Sequence, residues 1–110
     1  LHPFSAEKGF PVDGIIRYTS GAWKQKNKLS KNDQEIVCLL EQDLRETQGK
    51  PFGRGWPHLG PLKQYRKDAM HCHLTRDKVA VWKVFVQRDG KLKKTVCQFE
   101  YLGTREKAPY

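Results

Sequence analysis

Along the chain the apolar positions change period, and the change divides it. Between Ser30 and Gly49, Ile36, Val37, Leu39, Leu40 and Leu44 recur at steps of three and four, laying an apolar stripe along a helix. Ser30 and Asn32 offer N-caps, with Asp33 and Glu35 three residues after each at capping-box spacing, and Gly49 and Pro51 stop the run. The pattern predicts a helix over Lys31–Gln48. Upstream, Ile15–Tyr18 reads as a short strand and Trp23–Lys28 as one or two helical turns. Residues 1–14 hold two prolines and two glycines and predict an irregular lead-in.

Residues 51–61, PFGRGWPHLGP, carry three prolines and three glycines and read as a loop. Beyond it Leu62–Arg66, Ala69–Leu74, Val79–Gln87 and Leu92–Leu102 read as strands, with turns at Thr75-Arg76-Asp77 and Arg88-Asp89-Gly90. Strand, helix, then antiparallel meander predicts an α+β fold. Its small antiparallel β-sheet has about four to five strands, with N-terminal helices packed on one face. A chain of 110 residues is too short for two independent cores, so residues 1–110 read as one domain. Its parts are a lead-in (1–14), strand and helices (15–49), a loop (50–61) and the meander with its tail (62–110).

Composition adds an electrostatic signal. Lys and Arg number 21 against 12 Asp and Glu, a net charge of +9, which points to a polyanionic partner, nucleic acid before membrane. The 37% apolar content supports a small core and excludes a disordered chain. No apolar run approaches a membrane span, and no signal peptide is present; Leu1 in place of Met reads as a fragment or processed chain. The charge is blocked. Residues 17–31, 50–67 and 76–94 each carry +5, and residues 32–49 carry −4. That pattern predicts two faces, one of which repels phosphate. Cys38, Cys72 and Cys97 are an odd set without paired spacing, which favours a reducing compartment over a disulfide scaffold. Cys38 and Cys97 fall in apolar patterns and are expected to be buried.

The chemistry concentrates in the second half. In a strand, His71 and His73 share one face and Cys72 takes the other. Two imidazoles beside Lys63 and Arg66 form a candidate acid–base site in a positive field. Asp77, four residues on, is placed to orient an imidazole or to act as a base, and His58 precedes the meander in the Gly/Pro loop. Arg105 is a candidate for stabilising charge on a phosphate, and Tyr110 for stacking on a base. Metal spacings such as C-x₂-C, H-x₃-H and HExxH are absent, as are nucleotide-binding glycine loops and the local signature of a Ser or Cys nucleophile. No metal and no cofactor is expected.

From His58 onward the chain resembles the RelE/ParE superfamily of bacterial toxins, nearest its YafQ-like branch. The resemblance rests on His58-Leu59-Gly60, Leu62-Lys63-Gln64-Tyr65-Arg66, His73-Leu74-Thr75-Arg76-Asp77, Val81-Trp82-Lys83 and Leu102-Gly103-Thr104-Arg105, in family order. It covers about half the chain. It implies a toxin endoribonuclease that cuts RNA without metal: the ribose 2′-OH attacks the adjacent phosphate, helped by a base, an acid and cations. Carried over by position, the candidate catalytic residues are His58, His71, His73, Asp77, Arg105 and Tyr110. His73 matches the family's central histidine and Asp77 its partner carboxylate, while His71 aligns instead with a strand arginine of RelE-like members, so the sequence leaves the choice between His71 and His73 open. Lys63, Arg66, Lys67 and Trp82 become the candidate RNA-binding residues.

The implied partners are RNA, as mRNA on the ribosome or as tRNA, and an acidic cognate antitoxin or immunity protein. The implied workplace is the bacterial cytoplasm. The chain departs from the family in two residues inserted between Arg66 and His73, a longer and more basic 88–94 hairpin, and the proline-containing lead-in. These admit a second origin, the C-terminal RNase effector of a larger polymorphic or contact-dependent inhibition toxin of related fold, delivered from another cell. The alternatives from other classes are a non-catalytic toxin of the same fold that poisons a topoisomerase, and a basic RNA-binding module.

Overall fold

The computed structural model describes residues 12–13, 16–47, 55–62 and 68–110. Its elements in chain order are β1 (Val12–Asp13), β2 (Ile16–Tyr18), α1 (Ser20–Lys28), α2 (Lys31–Thr47), β3 (Gly60–Pro61), β4 (Ala69–His73), β5 (Lys78–Asp89), β6 (Leu92–Thr104) and a 3₁₀ turn, Arg105–Lys107. The expected α+β class holds, with both helices packed on one face of the sheet.

Both helices start at side-chain caps. Thr19 Oγ1 accepts the Ala22 N–H at 3.1 Å, and Ser30 Oγ accepts the Asp33 N–H at 3.1 Å. The Thr19 cap makes α1 longer than the Trp23–Lys28 pattern. On α2 the inward stripe is Val37, Leu40, Glu41 and Leu44. It is narrower than the apolar pattern, since Leu39 is 57% exposed and Cys38 lies on the solvent side with it. The expectation of a buried Cys38 is therefore corrected. Val37 and Leu40 already fill the face toward the sheet, and successive helical positions turn by about 100°. Cys72 and Cys97 are buried, which pushes each thiol up to about 12.

Glu41 lies within that stripe because it has partners. The Tyr18 hydroxyl donates to Glu41 Oε2, and Lys26 Nζ stands 3.6 Å from the same oxygen. Burial and the neighbouring Glu41 carboxylate both push the Tyr18 hydroxyl far above its ordinary value. Asp43 accepts the Trp56 indole N–H at 2.7 Å, tying the 55–59 loop to α2. Two of the five acids in the 32–49 block thus hold structure rather than forming a phosphate-repelling face.

The sheet has six strands in the order β1-β2-β6-β5-β4-β3. It is mixed rather than antiparallel throughout, because β2 runs parallel to β6, with Ile16 opposite Cys97 and Tyr18 opposite Phe99. The two helices lie between β2 and the meander and let the chain return in the same direction. Short strands also appear where loops were expected: β1 within the lead-in and β3 within the 51–61 segment. Of the expected strand Leu62–Arg66, Leu62 is outside any strand and 63–66 lie beyond the described residues. The last hairpin turns at Gly90 and Lys91, two residues later than the sequence pattern places it. Asp89 still pairs with Leu92, and Gly90 takes φ +64°.

Opposite Val81 and Trp82 stand Tyr101 and Phe99, so β6 carries one extra residue, Glu100. The bulge lets Phe99 and Leu102, three apart, both face the core. Trp82 is fully buried there, its ring 6.1 Å from Phe99, which in turn stacks on Tyr18 at 4.9 Å. This corrects Trp82 as an RNA-binding residue: strand alternation aims it at the helices, away from any ligand.

Candidate functional site

β4 places the histidines as alternation requires. Cys72 is fully buried on the helix side, while His71 and His73 are half-buried on the opposite face with centroids 6.3 Å apart. His71 Nδ1 lies 3.0 Å from the Gly60 carbonyl oxygen. A carbonyl only accepts, so Nδ1 carries the proton and Nε2 is the ring atom left for chemistry. The contact exists because β3 pairs Gly60 with His71. A backbone carbonyl from a loop-like segment leaves no trace in the sequence.

His58 reaches the same face from its loop. The His73 N–H donates to the Pro57 carbonyl at 2.8 Å, and His58 takes φ +55°, a left-handed conformation that costs a non-glycine residue. The strained turn lays the His58 ring 4.2 Å from the His73 ring, tilted by 34°. At the other end, the Tyr110 ring stands 5.3 Å from His71. Four rings therefore form a row: His58, His73, His71, Tyr110.

Arg105 acts on two members of this row. The His73 imidazole titrates below its ordinary value, through burial first, then the neighbouring charges of His58, Arg105 and His71. Burial raises the Tyr110 hydroxyl, and Arg105 partly opposes it. Arg105 owes its place to backbone contacts, because its N–H donates to the Asp77 carbonyl at 2.8 Å. Tyr101 also contributes, its hydroxyl donating to the Thr104 carbonyl at 2.7 Å just before the 3₁₀ turn. Gly103 makes room for that ring, since a Cβ there would lie 2.9 Å from the Tyr101 hydroxyl oxygen. Neither Gly103 nor Tyr101 stood out as a positioning residue, although the Gly103-Thr104 pair was the signal available.

Asp77 does not orient an imidazole. Its carboxylate accepts from Thr75 Oγ1 at 3.2 Å and Lys78 Nζ at 3.3 Å, and the bond to Lys78 holds it below the ordinary carboxylate range. Its side chain is 72% exposed, so its contribution to this site is the backbone carbonyl under Arg105. Arg76, Asp77, Thr104, Arg105 and Glu106 line an open cleft of about 350 Å³. Lys63, Arg66 and Lys67 lie outside the described residues. Among the described residues no three His, Cys, Asp or Glu side chains are grouped to hold a metal ion. None of the described helices is long and apolar enough to cross a membrane.

The backbone that carries these residues follows a known architecture. A YoeB/ParE toxin from Agrobacterium tumefaciens superposes with a TM-score of 0.57 at 16% sequence identity, over 83% of this chain and 98% of that one. The chain shares that protein's fold. No family model and no curated protein sequence matches it. At that identity the likeness is one of backbone alone.

Proposed function

We propose that this chain is a toxin endoribonuclease that cuts RNA by metal-independent transesterification and so inhibits translation and growth. The observation that carries the reading is the row His58–His73–His71–Tyr110 beside Arg105, on a protein of charge +9. His73, kept neutral by its surroundings, removes the proton of the ribose 2′-OH. The 2′-oxygen bonds to phosphorus as the bond to the 5′-oxygen breaks. His71, entering with a proton on each ring nitrogen, gives the one on Nε2 to that leaving oxygen and keeps the one Nδ1 donates to the Gly60 carbonyl, which yields a 2′,3′-cyclic phosphate and a 5′-hydroxyl. A base and an acid that flank a phosphate must stand apart. The 6.3 Å between His71 and His73 leaves that room, and the 4.2 Å between His58 and His73 does not.

His58 therefore serves by stacking on His73, and Arg105 by stabilising charge on the phosphate. Tyr110 stacks on a base beside the cut. Lys63, Arg66 and Lys67 lend further positive charge. The substrate is mRNA on the ribosome or tRNA, met in the bacterial cytoplasm, and an acidic antitoxin or immunity protein neutralises the same basic face. A topoisomerase poison of this fold needs no pair of spaced imidazoles, which is why the nuclease reading is preferred.

Expression in bacteria tests the assignment. Arg105→Ala is expected to slow cleavage by about 10²–10³-fold, as for loss of one charge-stabilising group. Arg105→Ala and His71→Ala should each relieve growth arrest while the protein accumulates folded. Full toxicity in both variants would place the site elsewhere.

A further inference from the structure

The sheet face that carries the histidines continues well past them. On β2, Ile16 and Tyr18 point into the core and Arg17 points the other way. Strand register sets Arg17 against Gln98 on β6 and Gln98 against Lys83 on β5. Val81, Lys83 and Phe85 share this face of β5, and Val81 is the partner of His71. Phe85 thus stands about 13 Å along the strand from the histidine row, at about 3.3 Å per residue.

Arg17 is held there by neutral groups. Its Nε donates to Gln98 Oε1 at 3.1 Å, its Nη1 donates to Gln87 Oε1 at 3.1 Å, and its guanidinium carbon lies 5.5 Å from the Phe85 ring centroid. Lys83 Nζ lies 5.3 Å from the same ring. Among the described residues neither cation is in an ion pair. Glu100 is engaged by Gln98 Nε2 at 3.1 Å, so the Gln98 amide spans an acid and the guanidinium. Two amide oxygens and an aromatic face fix the direction of Arg17, and these direct partners carry no net charge. An oriented guanidinium with a second cation on one aromatic ring suits phosphate and base together. Arg and Lys take the phosphate, and the ring or guanidinium plane takes the base.

We propose that Arg17, Lys83 and Phe85 form a second holding station for single-stranded RNA. It lies about four stacked nucleotides, at about 3.4 Å each, from the phosphate over His71 and His73. Its link to that phosphate rests on the nuclease reading, but its test is binding rather than cleavage.

The probe is a labelled single-stranded RNA of about ten nucleotides, followed by fluorescence anisotropy over a salt series with cleavage silenced by His73→Ala. Adding Arg17→Gln or Lys83→Ala should each weaken binding and flatten the slope of log affinity against log salt by about 0.7. Phe85→Leu should weaken binding about tenfold at unchanged slope, through lost stacking. Arg17→Lys, which keeps the charge, should keep the slope, and Lys24→Ala on the exposed side of α1 should change nothing. Unchanged affinity and slope in all three variants, or no RNA binding by the parent, overturns the station. If the variants behave as expected but the chain with His73 cuts no RNA, the station stands and the nuclease reading falls. If RNA is cut but bound equally by the variants, the reverse holds.

Discussion

Replacing His73 with alanine is expected to slow RNA cleavage by about 10²–10⁴-fold, the range for loss of a positioned acid–base group. The side chain is half-buried on the open face of β4, so its removal leaves the helix-side core intact. The pH profile separates this role from a structural one. Burial, and then the charges of His58, Arg105 and His71, lower the His73 titration. The imidazole therefore stays unprotonated to below pH 6.5, and the acid limb of the rate should fall below that value. His58→Ala removes one of the lowering charges and should move the limb upward.

The same linkage fixes a sign for stability. Because the folded value is below the unfolded one, the unfolded chain binds more protons between the two. Stability through His73 is therefore complete above 6.5 and declines as pH falls toward the folded value. Thermal unfolding across this range should show less pH dependence in His73→Ala than in the parent.

Trp82→Ala carries the largest expected cost in stability, about 3–5 kcal/mol, as for an aromatic truncated in a packed core. Small domains have only about 5–15 kcal/mol in total, so this variant should unfold at much lower urea or temperature. The argument is geometric. Trp82 is fully buried on the helix side of the sheet, in one core cluster with Val37, Leu40 and Leu44, and packs edge-on against Phe99, itself stacked on Tyr18. Trp82→Phe should recover a good part of the loss. An unchanged urea midpoint in Trp82→Ala, coupled with weaker RNA binding, would restore Trp82 to the nucleic-acid face.

Trp82 also marks how far sequence reading carries. In Val81-Trp82-Lys83 alternation separates Trp82 from its neighbours, but the chain alone does not say which face the helices cover. That is decided by β2 packing parallel to β6, a contact between residues about 80 positions apart. Local signals were sound where the physics is local. The Ser30 cap placed the start of α2, and alternation put His71 and His73 on one face and Cys72 on the other. They faltered where distant partners decide. Cys38 and Leu39 belong to the apolar pattern yet face solvent, Glu41 is drawn inward by Tyr18 and Lys26, and the turn at Gly90–Lys91 follows the pairing of the two long strands.

The candidate site shows the same division. The histidines, Arg105 and Tyr110 were legible as residue types, and the structure brings them together. Their arrangement depends on main-chain groups: the Gly60 carbonyl on His71, the Pro57 carbonyl on β4, and the Asp77 carbonyl under Arg105. Asp77 itself was read as a carboxylate, because a sequence displays side chains and hides backbone acceptors.

The central claim, acid–base cleavage of RNA by the histidine row, is tested most directly by the chemistry of the fragment ends. Purified chain is incubated with free tRNA in EDTA, and separately with mRNA on translating ribosomes in magnesium buffer. The predicted result, in at least one of the two, is fragments with 2′,3′-cyclic phosphate and 5′-hydroxyl ends that His73→Ala does not produce. Fragments ending in 3′-hydroxyl and 5′-phosphate, or intact RNA in both reactions, would contradict it.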